Sequence, residues 1–227
     1  MSNTRQISLL HTNLPAGNDT FSAGIDEAGR GCLAGPVVAA AVILPPTYDL
    51  PNLTDSKKLS ERQRNILFPE IKKCALAYGI GLVWPRRIDQ INILQATFEA
   101  MAKATLKLSI LPTNLLIDGN KIIPNHILNT FFVKYNKQIP RQKAIVKGDS
   151  IIDSISAASI LAKTYRDYIM TKLDKKWNGY GFSKHKGYGT KEHYDALNIL
   201  GPSPMHRLSF NCAKENLKVQ FKQAKLT

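Results

Sequence analysis

Short apolar runs alternate along the chain with longer stretches whose apolar residues recur at helical spacing. The first three runs, at residues 21–25, 37–44 and 75–83, are short and apolar, which is typical of buried strands. Their spacing and connections favour an antiparallel meander. Two further runs, at 115–117 and 143–146, bring the predicted sheet to five strands.

A first helix is predicted between the second and third strands. Ser60 is followed three residues later by Gln63, which is the capping-box pattern, and the helix is expected to run to about Cys74. Pro69 falls inside this range. Because proline lacks a backbone N–H and clashes with the preceding turn, it is expected to break or restart the helix.

Two longer helices are predicted from apolar stripes. Asp89 is expected to open one, which ends before Pro112, and Ser150 with Asp153 is expected to cap the other. The stripes consist of Ile91, Leu94, Phe98, Met101, Thr105 and Leu108 in one helix, and of Ile151, Ile155, Ala158, Leu161, Tyr165, Ile169 and Leu173 in the other. The order of elements predicts an α/β fold, a mixed sheet with helices against it.

The ends of the chain differ from its centre. Residues 1–20 are polar and aperiodic, which predicts a flexible N-terminal tail. From about Lys175 the composition shifts to Gly, Lys, His and Tyr, and a basic tail begins at Ala213. The tail is interpreted either as a solvated helix or as a binding element.

Composition narrows the class of protein. With 227 residues, 44% of them hydrophobic, the chain can bury one sizeable core. A formal net charge of +14 indicates a polyanionic partner, the alternative being a role in solubility alone. Three widely spaced cysteines argue against a disulfide framework or a zinc ribbon. Without a secretory signal or an apolar run of about 20 residues, a soluble cytoplasmic protein with no membrane contact is predicted.

Carboxylates follow three of the predicted strands. Asp26 and Glu27 end the first, and Asp118 and Asp149 follow the last two. Strands about 4.8 Å apart can bring such side chains into one small volume, where each close pair repels by roughly 4 kcal/mol. Oxygen ligands without histidine or cysteine favour Mg²⁺ or Mn²⁺, and in a basic protein they suggest two-metal hydrolysis of a phosphodiester. Singly, each aspartate is also interpretable as a turn or helix-terminus residue.

A glycine-flanked arginine comes directly after the first carboxylates. Gly29 and Gly31 allow close approach of the backbone to a ligand, and Arg30 offers a phosphate contact. A dinucleotide-binding loop is excluded because no Gly-x-Gly-x-x-Gly follows the first strand in the required form.

Six motifs, in this order and over about residues 21–210, resemble ribonuclease HII, the bacterial type 2 RNase H family. They are Gly24-Ile25-Asp26-Glu27-Ala28-Gly29-Arg30-Gly31, Asp55-Ser56-Lys57-Lys58-Leu59, Asp118-Gly119-Asn120, Lys147-Gly148-Asp149-Ser150, Ser156-Ala157-Ala158-Ser159-Ile160-Leu161-Ala162-Lys163 and His185-Lys186-Gly187-Tyr188-Gly189-Thr190. The resemblance implies an RNase H-like mixed five-stranded sheet flanked by helices, with a catalytic core over 21–175 and a small C-terminal substrate-binding helical segment over 176–227.

The resemblance also implies an activity. It is that of a metal-dependent endonuclease, predicted to be a monomer, which by the resemblance uses Mn²⁺ or Mg²⁺ with two ions when substrate is bound. Its substrates are the RNA strand of RNA/DNA hybrids and ribonucleotides embedded in duplex DNA, nicked on their 5′ side to give 5′-phosphate and 3′-hydroxyl ends. Such an enzyme serves ribonucleotide and RNA-primer removal.

Individual residues match the family's functional positions. The metal-binding catalytic set corresponds to Asp26, Glu27, Asp118 and Asp149. The substrate contacts correspond to Gly29, Arg30 and Gly31, beside the ribonucleotide 2′-hydroxyl, to Tyr188, on the sugar just beyond it, and to Lys57 and Lys58, near the phosphates. The sequence does not distinguish which of the two lysines reaches the phosphate.

Other features are assigned no site role. The segment from Lys121 to Arg141 is longer than is usual in the family and is predicted to be a surface excursion. His185, His193 and His206 are predicted to be structural or solvated.

Two rival hypotheses remain. The sister class, ribonuclease HIII, typically carries an extra N-terminal domain that twenty polar residues cannot form. A non-catalytic hybrid-binding module would use only the basic surface and would not depend on the carboxylates.

Overall fold

The computed structural model describes residues 21–54, 56–136 and 138–210. The predicted N-terminal tail, Asp55 of the second motif, and the basic tail from Ala213 with Cys212 lie outside the described residues. Within them, Cys32 and Cys74 are free thiols. None of the described helices combines the length and the apolar character needed to span a membrane.

The predicted mixed sheet of five strands is confirmed. The strands are β1 Ser22–Ala28, β2 Val37–Ile43, β3 Ala77–Val83, β4 Asn114–Asp118 and β5 Arg141–Ile145. They lie in the order β3-β2-β1-β4-β5. The first three form the expected antiparallel meander, and β4 and β5 join it in parallel on the other side of β1.

Helices cover both faces of the sheet. They are α1 Glu61–Cys74, α2 Pro85–Leu106, α3 Asn125–Phe132, α4 Asp153–Lys176, α5 Phe182–His185 and α6 Lys191–Leu200. Successive side chains of β2 alternate between the faces: Ala39 and Ala41 join a core with α2 and α3, whereas Val38 and Ala40 join a core with α1 and α4. The α/β class follows from this layering.

The first helix has the predicted capping box, but the prediction of a break at Pro69 is wrong. Ser60 accepts from Gln63 N at 3.3 Å, and Gln63 Oε1 accepts from Ser60 N at 2.8 Å. The helix continues through Pro69 to Cys74. Pro69 and Asn65 are both exposed, so the carbonyl deprived of its N–H partner can bind water while Leu67 and Ile71 anchor the helix.

The second helix begins earlier than predicted and is interrupted. It starts at Pro85, ends at Leu106, and has a non-helical residue at Asn92 (φ 64°, ψ 166°). Asn92 Oδ1 accepts from two N–H groups of the following turn at 3.0 and 3.1 Å, so it caps the second part. Asp89 is therefore not an N-cap, and its carboxylate accepts instead from Ser209 N at 2.9 Å.

The fourth helix lacks the predicted cap. Its N-cap is Ile152, without a side-chain hydrogen bond, and Ser150 lies in a preceding 3₁₀ turn, where its hydroxyl donates to Lys147 O at 2.8 Å. Ile151 is 56% exposed and does not belong to the buried stripe. The cap prediction failed because the chain turns once more before the helix begins.

The segment from Lys121 to Arg141 is not a surface excursion. It forms α3 and a short 3₁₀ turn. Ile123, Leu128 and Phe132 are fully buried in the core beside α2. The apolar residues of the segment are therefore explained by packing on one face of the sheet.

Candidate active site

The parallel strands β1 and β4 bring carboxylates to one edge of the sheet. Asp26 lies in β1, Asp118 ends β4, and Asp149 lies in the 3₁₀ turn Gly148–Ser150 just beyond β5. One carboxylate oxygen from each of these three residues lies within 4.8 Å of the other two. Asp26 thus shares one small volume with Asp118, which lies 92 positions later in the sequence, and with Asp149.

Asp26 is buried and lies beside two other carboxylates. Its Oδ1 accepts from Glu27 N at 2.7 Å, and its carboxylate also has a hydrogen bond from Ser159 of α4. Burial, followed by the charge of Glu27 and then that of Asp118, raises the pKa of Asp26 well above its usual range. The two hydrogen bonds to Asp26 therefore do not offset the cost of burying its negative charge beside other carboxylates.

Asp118 and Asp149 are linked directly. Asp149 N donates to Asp118 Oδ1 at 3.4 Å, and Ser156 Oγ donates to the Asp149 carbonyl at 2.7 Å. Burial and the neighbouring Asp149 raise the pKa of Asp118. Lys57 Nζ lies 3.3 Å from Asp149 Oδ2, so this lysine reaches the group, and Lys58 is exposed.

Glu27 lies next to the three aspartates but outside their group. Neighbouring residues of a strand point to opposite faces, which separates its side chain from that of Asp26. Its Oε1 lies 3.1 Å from Arg30 Nη1. Burial raises the pKa of Glu27, although the charge of Arg30 opposes this.

The donor set fits a hard divalent cation. All three converging groups are carboxylates, and hard cations such as Mg²⁺ and Mn²⁺ prefer oxygen ligands. Burial and mutual repulsion act in the same direction on Asp26 and Asp118. Positive charge between them would relieve both effects, so these residues suit a cation site.

The glycine-flanked arginine follows β1 directly, and Tyr188 belongs to a segment that is hydrogen-bonded to the same loop. Gly29 is buried with φ +92°, whereas Arg30 and Gly31 are exposed. Tyr188 is 44% exposed, and Lys163 Nζ lies 5.7 Å from its ring centroid. The two segments are connected, since Leu33 N donates to Gly187 O at 2.8 Å.

Comparison with known proteins assigns the family. The family model described as Ribonuclease HII matches residues 23–213. This chain belongs to the ribonuclease HII family. A ribonuclease HII from Nitratidesulfovibrio vulgaris is 58% identical over 194 residues, which cover 86% of this chain and 87% of the relative.

Solved structures of the family have the same fold. The ribonuclease H2 of Pyrococcus horikoshii OT3 matches with a TM-score of 0.69 and 26% identity over 89% of this chain and 100% of that one. The ribonuclease HII of Archaeoglobus fulgidus, solved in a complex with PCNA, matches with a TM-score of 0.66 and 27% identity, over 84% of this chain and 95% of that one. The RNase H-like fold inferred from the motifs is confirmed.

Membership of ribonuclease HII establishes the activity. The chain is a divalent-metal-dependent endonuclease that degrades RNA in RNA/DNA hybrids. The oxygens of the aspartate group could hold such a metal. The dinucleotide-binding and non-catalytic hypotheses are excluded by this result.

Sequence reasoning missed two buried arginines of the ribonuclease HII fold. Arg166 and Arg207 are both fully buried, and their guanidinium groups donate to main-chain carbonyls around the loop after β1. Arg166 had a detectable signal, because it falls four residues after Ala162 and four before Met170 on the buried side of α4. No local pattern marks Arg207.

The three histidines are structural, as predicted, and two of them form a hydrogen-bonded chain. Ser203 N donates to His206 Nδ1 at 2.9 Å, which leaves His206 Nε2 to donate to His193 Nε2 at 3.0 Å. His193 Nδ1 then donates to the Tyr188 carbonyl at 2.9 Å. The partners at both ends require two neutral histidines in different tautomers, His206 with its proton on Nε2 and His193 with its proton on Nδ1, so protonation would disrupt the support of Tyr188.

Acidification is expected to destabilise the fold through this pair. Burial lowers the pKa of His193 and of His206 to about 4, compared with about 6.5 in an unfolded chain. The unfolded state therefore binds more protons between these values, so stability is full above pH 6.5 and is lost as the pH falls toward 4. Denaturant unfolding should show a loss of about 2 kcal/mol per histidine from pH 7 to pH 5, or roughly 4 kcal/mol for the pair.

A variant comparison isolates this contribution. His206→Gln should show a shallower dependence of unfolding free energy on pH than the wild type. The matched control is His126→Gln, because His126 is exposed on α3. Equal slopes in His206→Gln and the wild type would contradict the assignment.

Proposed function

We propose that Asp26, Glu27, Asp118 and Asp149 form the catalytic, metal-binding set, and that the enzyme cleaves on the 5′ side of a ribonucleotide. The observation that carries this proposal is the convergence of three carboxylate oxygens within 4.8 Å. These residues would hold Mn²⁺ or Mg²⁺, two ions with substrate present, and such ions would supply an activated water and stabilisation of the leaving oxygen. The products are 5′-phosphate and 3′-hydroxyl ends.

Each carboxylate has a distinct position in this proposal. Asp26 is central: it accepts hydrogen bonds from Glu27 N and Ser159, and it interacts electrostatically with both Glu27 and Asp118. Asp149 closes the group, and its orientation is set by Lys57. Glu27 provides a fourth carboxylate beside the loop, where Arg30 keeps it oriented.

Lys57 is the lysine we assign to the scissile phosphate. Its ammonium lies 3.3 Å from Asp149 Oδ2, and its side chain remains 77% exposed. It can therefore contact an incoming phosphate without leaving the site. Lys58, which is also exposed, is assigned to the flanking backbone.

Selection of the substrate is assigned to the loop after β1 and to Tyr188. Gly29, Arg30 and Gly31 are proposed to contact the ribonucleotide 2′-hydroxyl, the group that distinguishes RNA from DNA. Tyr188 is proposed to pack on the next sugar. The segment 176–227 completes the binding surface for hybrid and ribonucleotide-containing duplex, and the +14 charge supports contacts with their phosphates.

The four carboxylates come from a single chain, so the proposed enzyme acts as a monomer. Its free thiols suit a reducing compartment such as the cytoplasm. The core of the proposed machinery lies within residues 21–175.

Digestion of a DNA duplex containing one ribonucleotide tests the proposal. Cleavage mapped in Mg²⁺ and in Mn²⁺ should show one nick on the 5′ side of the ribonucleotide and none in the all-DNA duplex, and EDTA should abolish it. A nick on the 3′ side, or binding without cleavage, would contradict the proposal.

Tyr188→Ala should reduce cleavage at an isolated ribonucleotide by roughly tenfold, and should reduce cleavage of a long hybrid less, because a junction contact matters most where only one ribonucleotide is present. Initial rates on the two substrates measure this difference. Tyr168→Ala is the matched control, since Tyr168 is an exposed tyrosine of α4. Equal losses on both substrates would remove the junction role.

A further inference from the structure

Two guanidinium groups donate to carbonyls of the chain between Gly29 and Pro36. Arg207 and Arg166 are fully buried. Their hydrogen bonds within the described residues all go to main-chain carbonyls, none to a carboxylate. We propose that Arg207, together with Arg166, is a positioning residue for ribonucleotide recognition, which turns the loop carbonyls inward and thereby presents the Arg30 and Gly31 N–H groups to the substrate.

Stability alone does not account for two such residues. Burying a charge costs several kcal/mol unless it is compensated, and well-packed apolar residues are often equally stable or more stable in such places. Burial, with an added contribution from the charge of Arg166, lowers the pKa of Arg207 to about 10, although Cys32 and Asp89 oppose this shift. The two cations also repel each other. A cost of this kind is consistent with a function in arranging the carbonyls they hold.

The contacts of Arg207 define the shape of the loop. Its Nη2 donates to Gly29 O at 2.7 Å and its Nη1 donates to Arg30 O at 2.8 Å. Both Nε and Nη2 also reach Gly35 O, at 3.1 and 3.0 Å. One planar group thus holds three carbonyls from both sides of the turn, a task that matches the fixed fork of arginine.

The orientation of these carbonyls determines where the N–H groups point. The described peptide bonds are all trans, so each N–H points away from the C=O of its own peptide unit. With the Gly29 and Arg30 carbonyls turned toward Arg207, the N–H groups of Arg30 and Gly31 point away from it. Both residues are exposed, and among the described residues neither N–H has a hydrogen-bond acceptor. Two outward N–H groups can donate to a ribose or phosphate oxygen.

Arg166 extends the arrangement to Tyr188. Its Nη1 donates to Lys186 O at 2.8 Å, and its Nη2 donates to Ala34 O at 3.0 Å. A Cβ placed on Gly29 would lie 2.0 Å from Arg166 Nε, so the loop rests directly on this side chain. Arg166 and Arg207 therefore position both proposed recognition elements, the loop after β1 and Tyr188. This inference rests on the proposed function.

Binding selectivity of Arg207→Lys tests the inference. Lysine keeps the charge, but a single ammonium cannot hold three carbonyls in a fork. Affinity is measured by fluorescence anisotropy in EDTA, for a DNA duplex with one ribonucleotide and for the same duplex in all-DNA form. The preference for the ribonucleotide duplex should fall by about tenfold, the size of one or two lost hydrogen bonds. Affinity for the all-DNA duplex should stay within about twofold.

The ratio of affinities separates positioning from general damage, because partial unfolding lowers both affinities equally. Tyr180→Phe is the matched control: it removes a buried hydrogen bond to Gly201 O in the same C-terminal segment, a bond that involves no carbonyl of the loop after β1, and should leave the ratio unchanged. An unchanged ratio in Arg207→Lys would overturn the inference. Absence of any preference in the wild type would instead overturn the proposed function.

Amide hydrogen exchange tests the inference on the wild-type protein, so it does not require a substituted protein that folds. In the wild-type protein, the Arg30 and Gly31 amides should exchange rapidly and become protected when the ribonucleotide duplex is added. Amides that are protected in the unbound protein, or that stay unprotected in the complex, would overturn the inference. If Arg207→Lys does not fold, Arg166→Lys takes its place in the binding assay.

Discussion

Asp26→Asn should lower turnover by about a thousandfold or more, which corresponds to roughly 4 kcal/mol in the barrier. Asparagine has nearly the same shape and can still accept from Glu27 N, so the fold is kept while a charged ligand is lost. Binding of the ribonucleotide duplex should be equal or tighter, because one negative charge beside the phosphate is removed. Single-turnover kinetics and anisotropy measure the two quantities separately.

The same substitution has an expected effect on stability. Because burial and neighbouring charges disfavour the ionised Asp26 carboxylate, its removal should raise the free energy of unfolding in EDTA. Asp195→Asn is the matched control, since Asp195 is an exposed aspartate of α6 paired with Lys191. Turnover near the wild-type value in Asp26→Asn would contradict the metal role of this residue.

Gly24→Ala should destabilise the fold by about 3 kcal/mol or more. A Cβ at Gly24 would lie 2.2 Å from the Ser154 carbonyl carbon and 2.3 Å from Ile155 N. These are backbone atoms of α4, so no side chain can move aside and the helix itself must shift from β1. Denaturant unfolding measures the loss. Activity should fall as well, because Ser159 of α4 hydrogen-bonds to Asp26.

A second glycine of the same region serves as the control for stability. A Cβ at Gly31 would meet nothing within 4 Å. Gly31→Ala should therefore change the unfolding free energy by no more than about 0.5 kcal/mol. If Gly24→Ala were as stable as Gly31→Ala, the close approach of α4 to β1 would be contradicted.

Local patterns predicted much of the secondary structure. The five strands follow from short apolar runs, and the Ser60 capping box follows from cap chemistry; both signals act over a few residues. Errors arose where tertiary contacts decided the outcome. Asp89 binds the backbone near Ser209, 120 residues away, so it does not cap a helix.

The sequence by itself determined that the proposed metal ligands are carboxylates, the order of the motifs, and the succession of strands and helices that forms a mixed sheet. Each of these depends on residue type and short spacing. Only the tertiary structure decided that Asp26, Asp118 and Asp149 meet while Glu27 turns to Arg30. It also decided that Arg207 is buried against a loop 172 to 178 residues earlier in the chain. The physical reason is that burial, charge repulsion and hydrogen-bond geometry depend on distances between residues far apart in sequence, which no local pattern contains.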